Sequence, residues 1–300
     1  MGISLQVLAY NVSRTINVML RNAAPHVDKI YLAYPERAWE YNKSYRHSKN
    51  PTQLDEINRN IPCELQIIRG GWKRDEETRN ALLNEARKDG FDWIIIQDAD
   101  EFYTEESWER LTSLLKSTTT NNADYIEVPY FTFWKSPSFI LEGHEEGLKN
   151  GTTVFAINCK KKDLYFSYSR TTTGSSKIYI DEPCYHYSYV LDDRELKEKL
   201  ASWTHSGDLI SKTLWYNLKW KRWNSGTTML HPGSPWLWKR AIRFPLPQPS
   251  FAEELYIQEP VQKDLGIIWS VINLIYNLIT NGRYILNGLK RILRSSLHHR

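Results

Sequence analysis

The chain has 300 residues, of which 41% are hydrophobic and 25% charged, a balance that excludes a disordered or fibrous protein and suffices for a sizeable core. Its formal net charge of +4 is too weak to name a nucleic-acid partner. Three widely spaced cysteines, Cys63, Cys159 and Cys184, exclude a disulfide framework and zinc-ligand spacing.

The first third alternates strand-like and helix-like segments. Gln6–Tyr10 reads as a short apolar strand, and Ser13–Ala24 carries Ile16, Met19, Leu20 and Ala23 at helical spacing. Lys29–Tyr34 and Glu64–Arg69 read as further strands, the second stopped by Gly70-Gly71. Asp75–Lys88 follows as a helix with Ala81, Leu82 and Ala86 on one face and Gly90 beyond its end. Asp92–Gln97 contains Trp93-Ile94-Ile95-Ile96, apolar on consecutive positions, as a central strand covered on both faces would be. This order predicts an α/β fold with a mostly parallel sheet and helices on both faces.

Past residue 120 the pattern changes. Tyr125–Phe133, Thr153–Asn158 and Lys177–Ile180 look like strands with few helices between them, and Arg194–Trp203 reads as a helix. From Trp215 to Trp238, five of the twelve tryptophans sit among basic residues, and no acid occurs between Asp208 and Glu253. Pro232, Pro235, Pro245, Pro247 and Pro249 mark an irregular linker. Leu265–Leu293 reads as one long helix or a helix pair, a C-terminal helical extension without acids.

The chemistry-bearing feature is Asp98-Ala99-Asp100 at the end of the Trp93–Gln97 strand. Ligands of open α/β sheets bind beyond the carboxyl ends of strands. Two carboxylates one residue apart there suit a hard cation, Mn²⁺ or Mg²⁺, that neutralises a diphosphate.

Thr78-Arg79-Asn80-Ala81 on a helix, followed by Phe91-Asp92-Trp93-Ile94-Ile95-Ile96-Gln97-Asp98-Ala99-Asp100-Glu101, resembles family 2 glycosyltransferases. Leu8-Ala9-Tyr10-Asn11 and the Asp28–Tyr34 strand resemble that family's first strands. The resemblance covers residues 3–110 well and 120–205 loosely. It implies a GT-A fold and a nucleotide-diphosphate-sugar donor, a UDP-sugar first, held through Asp98, Asp100 and Arg79. The family's acidic turn after the second strand is missing: Ala33-Tyr34-Pro35-Glu36-Arg37 stands there, with Glu36 or Arg37 as alternative contacts to the base or ribose.

The resemblance also implies a downstream histidine on the metal, for which His186 is the candidate. The alternative is a core histidine among tyrosines. Lys199 and His205 fall where the family often carries a Lys and a His that contact donor phosphates; the alternative is a solvated helix end. An inverting transferase needs a base, usually Asp or Glu. Glu101, Glu142 at the head of the loop to Gly147, and Asp181 are the candidates. The tryptophan-rich segment reads as a platform for sugar rings or single-stranded nucleic acid, or as an auxiliary core.

These readings divide the chain into a catalytic domain (1–210), a tryptophan-rich segment and linker (211–250) and a helical extension (251–300). The expected activity is metal-dependent sugar transfer to a glycan, lipid-linked or protein acceptor. The alternatives are a nucleic-acid acceptor or a non-catalytic sugar- or nucleotide-binding module. No basic region with a long apolar stretch opens the sequence, so a cytoplasmic location is expected. The C-terminal helix carries one narrow polar stripe, Ser270, Asn273, Asn277 and Thr280, on an otherwise apolar surface. It is expected either to lie peripherally on a membrane or partner, or to pack on the catalytic domain.

Overall fold

Trp93, Ile94, Ile95 and Ile96 are all buried in the computed structural model, where they form a central strand of an 11-stranded sheet. The structure describes residues 1–40, 48–143, 148–149, 151–202, 211–232, 235–262 and 266–297. The first part runs β1 (Ile3–Leu8), α1 (Ile16–Ala23), β2 (Lys29–Pro35), β3 (Glu64–Gly70), α2 (Asp75–Lys88) and β4 (Trp93–Ile96). Its strands pair in parallel in the order β4-β1-β2-β3. Alternate residues face opposite sides of the sheet. Leu5, Val7, Ile30, Leu32 and Ile95 therefore share a core with α1, while Leu8, Ala33, Ile94 and Ile96 share another with Leu82, Leu83 and Ala86 of α2.

Beyond β4 the expectation of a mostly parallel sheet is corrected. β5 (Glu101–Phe102) and α3 (Glu105–Leu115) lead into β6 (Tyr125–Trp134), β7 (Ser136–Glu142) and β8 (Thr152–Asn158). β8 runs antiparallel to both β4 and β6, and β6 antiparallel to β7. For β6 and β7 the cause is the connection. Parallel neighbours need a long crossover, whereas short links join antiparallel ones. Only Lys135, at φ 64°, separates β6 from β7. A two-stranded hairpin follows, β9 (Phe166–Tyr168) with β10 (Thr171–Thr172). β11 (Lys177–Tyr179) and β12 (Cys184–Tyr189) then pair in parallel with β6, and β12 also runs antiparallel to β5. The fold is α/β with a mixed, curled sheet and helices on both faces.

After β12 come α4 (Asp193–Ser202), α5 (Lys212–Trp215) continued by a π-helical turn over Tyr216–Lys221, β13 (Arg240–Arg243), α6 (Phe251–Leu255) and α7 (Gly266–Leu297). β13 returns to the main sheet as the antiparallel neighbour of β7. Trp215, Trp220, Trp223 and Trp238 are buried with Trp134, Tyr189, Leu196 and Leu200 in a second core. Their rings are packed edge against face within the protein, so these four offer no open platform for sugars or bases.

α7 is one helix, with no break at Asn281-Gly282. It packs through Trp269, Ile272 and Tyr276 onto the second core, and Asn273, Asn277 and Thr280 of its polar stripe face inward while Ser270 stays exposed. Lys219, fully buried, donates to Thr228 O at 2.7 Å and to the side-chain oxygens of Asn273 and Asn277 at 2.6 Å each. Burial pushes the Lys219 amine down to about 7 from its ordinary 10.5. Its three acceptors, one for each ammonium proton, pull the other way.

The unfolded chain therefore binds the Lys219 proton more tightly than the folded one, and the penalty shrinks as pH rises from about 7 towards 10.5. The melting temperature of the wild type minus that of Lys219→Met is expected to rise between neutral pH and pH near the lysine's ordinary value. Thermal melts across that window check it, and a flat difference would show that the proton stays bound in both states.

Candidate functional site

A cleft of about 1090 Å³ opens at the carboxyl ends of β1 and β4. Tyr10 and Asn11 border it past β1, and Asp98 to Glu101 past β4. Asn11 takes φ 56°, held because its backbone N–H donates to Asn50 Oδ1 at 3.2 Å. Asn50 Nδ2 in turn donates to Ala9 O and Pro35 O, tying the ends of β1 and β2 together. Trp39 stands beside Tyr10 on the same wall, ring centroids 5.7 Å apart. Glu36 and Arg37 are exposed and lie outside the cleft lining, with Glu36 paired to Arg69 at 3.2 Å.

Asp98 Oδ1 accepts from Arg79 Nη2 at 2.8 Å, and Asp98 Oδ2 lies 3.5 Å from Arg170 Nη1. Arg170 Nη1 also pairs with Glu101, and its Nη2 donates to Ile96 O at 2.9 Å and Val154 O at 2.8 Å. Glu101 Oε2 accepts from the Asp98 N–H at 3.0 Å. Burial raises the Asp98 carboxyl, but Arg79 and Arg170 together outweigh it and hold that group well below the usual carboxylate range. Burial raises the Glu101 carboxyl, an effect Arg170 partly offsets.

No motif in the sequence points to Arg170. It sits in the turn between β9 and β10, next to Ser169 in the left-handed region at φ 46°. Asp75 Oδ2 accepts from Ser169 Oγ at 2.8 Å and Glu76 Oε2 from the Ser169 N–H at 3.3 Å. Those two bonds fasten the turn to the first residues of α2 and aim Arg170 inward.

Asp100 has different partners. Its Oδ2 lies 3.3 Å from Lys199 Nζ on α4, and its Oδ1 lies 3.7 Å from His186 Nε2 on β12. Lys199 is oriented by Ser188, whose carbonyl accepts at 2.8 Å and whose hydroxyl oxygen accepts at 2.6 Å. His186 stacks on Tyr130, centroids 5.5 Å apart.

Asp98, Asp100 and His186, the expected metal ligands, thus line one cleft. Among the described residues, however, no group of three or more His, Cys, Asp and Glu is gathered to hold an ion. Asp98 faces two guanidiniums instead. Asp100 Oδ1 and His186 Nε2 are too far apart for a hydrogen bond, and their separation suits two ligands each roughly 2 Å from one cation.

Of the expected bases, Glu101 is buried against Arg170 and serves as a brace. Glu142 lies on the β7 edge, paired with Arg240 at 2.7 Å, and Asp181 is exposed, bonded to Lys149 and Tyr179; neither lines the cleft. His205 and residues 144–147 lie outside the described residues. Arg14, Arg194, Glu195, Glu198 and His231, which no sequence motif marks, also line the cleft. Compared with known proteins, the chain matches no protein-family model and no curated protein.

Removing one member of a buried ion pair strands the other, at a cost of about 3–5 kcal/mol. Arg170→Met is expected to destabilise the protein by that order in urea unfolding. Adding Glu101→Gln to it should restore part of the loss. A double variant no better than the single one would mean that Arg170 acts through its backbone bonds alone.

Proposed function

We propose that the protein is a glycosyltransferase of GT-A architecture, moving a sugar from a nucleotide-diphosphate-sugar to an acceptor hydroxyl. The observation that carries this reading is the Asp98-Ala99-Asp100 segment, at the carboxyl end of β4 and open to a large cleft with cationic side chains on its wall. Arg14, Arg194 and Lys199 all line that cleft and give a diphosphate charge-assisted partners. The Tyr10–Trp39 wall supplies aromatic surface for a base.

Asp100 and His186 would hold a divalent cation, Mn²⁺ or Mg²⁺, which when bound neutralises charge on the leaving diphosphate. Oxygens of the donor would complete its ligand set. Arg79 and Arg170 keep Asp98 ionised and fixed, so Asp98 orients rather than titrates. Lys199, steered by Ser188, bonds the departing phosphate. Glu198 on α4 lines the cleft and takes the acceptor's proton, leaving the oxygen free to attack the sugar carbon as the bond to phosphate breaks.

A panel of nucleotide-sugars tested for donor hydrolysis, with and without Mn²⁺, identifies the donor. Asp100→Ala is expected to lower turnover by about 10²-fold or more while the melting temperature barely changes. Full activity of that variant, or of the wild type in EDTA, would remove the metal from the scheme.

Glu198→Gln separates binding from chemistry. It should leave donor affinity intact and cut transfer by roughly 10²–10⁴-fold. Unchanged transfer would return the base to another group on the wall.

A further inference from the structure

α7 is mounted with Asn273, Asn277 and Thr280 inward and its apolar face outward. Ile267, Ile268, Val271, Leu274, Ile275, Leu278 and Ile279 are between 50% and 85% exposed. At 3.6 residues per turn they fall within an arc of about 140°. Opposite them, Asn273 and Asn277 grip Lys219, Tyr276 and Thr280 are buried, and Trp269 packs under Arg222 at 3.7 Å. The helix is therefore anchored by its polar side, and its position leaves seven large aliphatic side chains in one contiguous patch. Such patches mark interaction surfaces.

The charges select the occupant. After Asp264 the sequence has no acid, while Arg283, Lys290, Arg291 and Arg294 follow on the same helix. In the sequence, Ile285, Leu286, Leu289, Ile292 and Leu293 keep the three- and four-residue spacing of the exposed aliphatics. A second copy of α7 would bring basic residues against basic residues, with no Glu or Asp to form flanking pairs. The apolar arc is also wider than the narrow seam of a two-stranded coiled coil. An anionic surface with an apolar interior satisfies both features at once. No helix among the described residues is long and apolar enough to cross a membrane, so the arrangement is one of lying on the surface.

We propose that the outward face of α7 docks the protein flat on an anionic lipid bilayer, with its exposed aliphatic side chains in the acyl boundary and the net positive charge of the segment drawing it to the headgroups. The inference stands independently of sugar transfer, since neither the patch nor its anchor belongs to the cleft.

Flotation of the full chain with phosphatidylcholine vesicles, with and without phosphatidylserine, tests it. The protein is expected to float with the phosphatidylserine vesicles and to lose that binding progressively as salt is raised. Ile268→Glu together with Ile275→Glu replaces two exposed side chains, so the melting temperature should hold while vesicle binding falls by roughly tenfold or more. Donor hydrolysis in solution should be the same in that variant. Three results would overturn the proposal. They are absence of flotation with either vesicle, equal binding by the double variant, and a sedimentation-defined dimer that the double variant abolishes.

Discussion

Arg170 brings a guanidinium to the place where the sheet changes direction. The β4–β8 ladder runs from Trp93↔Asn158 to Ile95↔Ala156 and stops there. Just beyond it, one residue on in β4 and two in β8, Ile96 O and Val154 O both accept from Arg170 Nη2. The side chain thus continues the stitching of two antiparallel strands after their own N–H groups have parted. On its other side the same guanidinium meets Asp98 and Glu101. Two carboxylates and, with Arg79, two guanidiniums make a neutral cluster in a place where an unmatched charge would be costly. The parallel half supplies Arg79 and Asp98, and the hairpin that follows the antiparallel strand β8 supplies Arg170. The geometry of the proposed donor site therefore depends on both halves being assembled.

The parallel half was legible in the sequence because its signals are local. A four-residue apolar run, helices of regular period and glycines at their ends act within a dozen residues. Asp98 and Asp100 were legible for the same reason, since the end of a buried strand predicts where they face. Their partners were not. Arg170 lies 72 positions from Asp98, in a turn whose shape depends on Ser169 being held at positive φ by Asp75 and Glu76. No periodicity encodes that. Glu142 and Asp181 fail as cleft residues for a related reason: a carboxylate in a glycine-bearing or turn segment reads alike whether it faces a cleft or a neighbouring lysine.

The C-terminal helix shows a different limit. Its pattern fixes that it has one polar and one apolar side, and nothing in the pattern says which is inside. The usual assignment puts the apolar side inward. Here the decision comes from Lys219, a residue of another segment whose amine needs oxygen acceptors once it is buried. Asn273 and Asn277, one helical turn apart, provide them. The complete burial of Lys219 is what makes those acceptors necessary.

The sheet also has an order of completion set by the chain. Its four parallel strands pair only among residues 3–96, so they can assemble from the first third of the polypeptide. The outer edge of β4 then waits for β8, which ends at Asn158, and the edge of β7 waits for β13, which ends at Arg243. A ribosome-bound chain that has released only the early strands presents an open, apolar edge built of tryptophan and isoleucines. That edge is a template for pairing with another nascent chain. A nascent chain of this protein therefore has a window of exposure, opened by β4 and closed by β8, during which chaperone capture competes with aggregation.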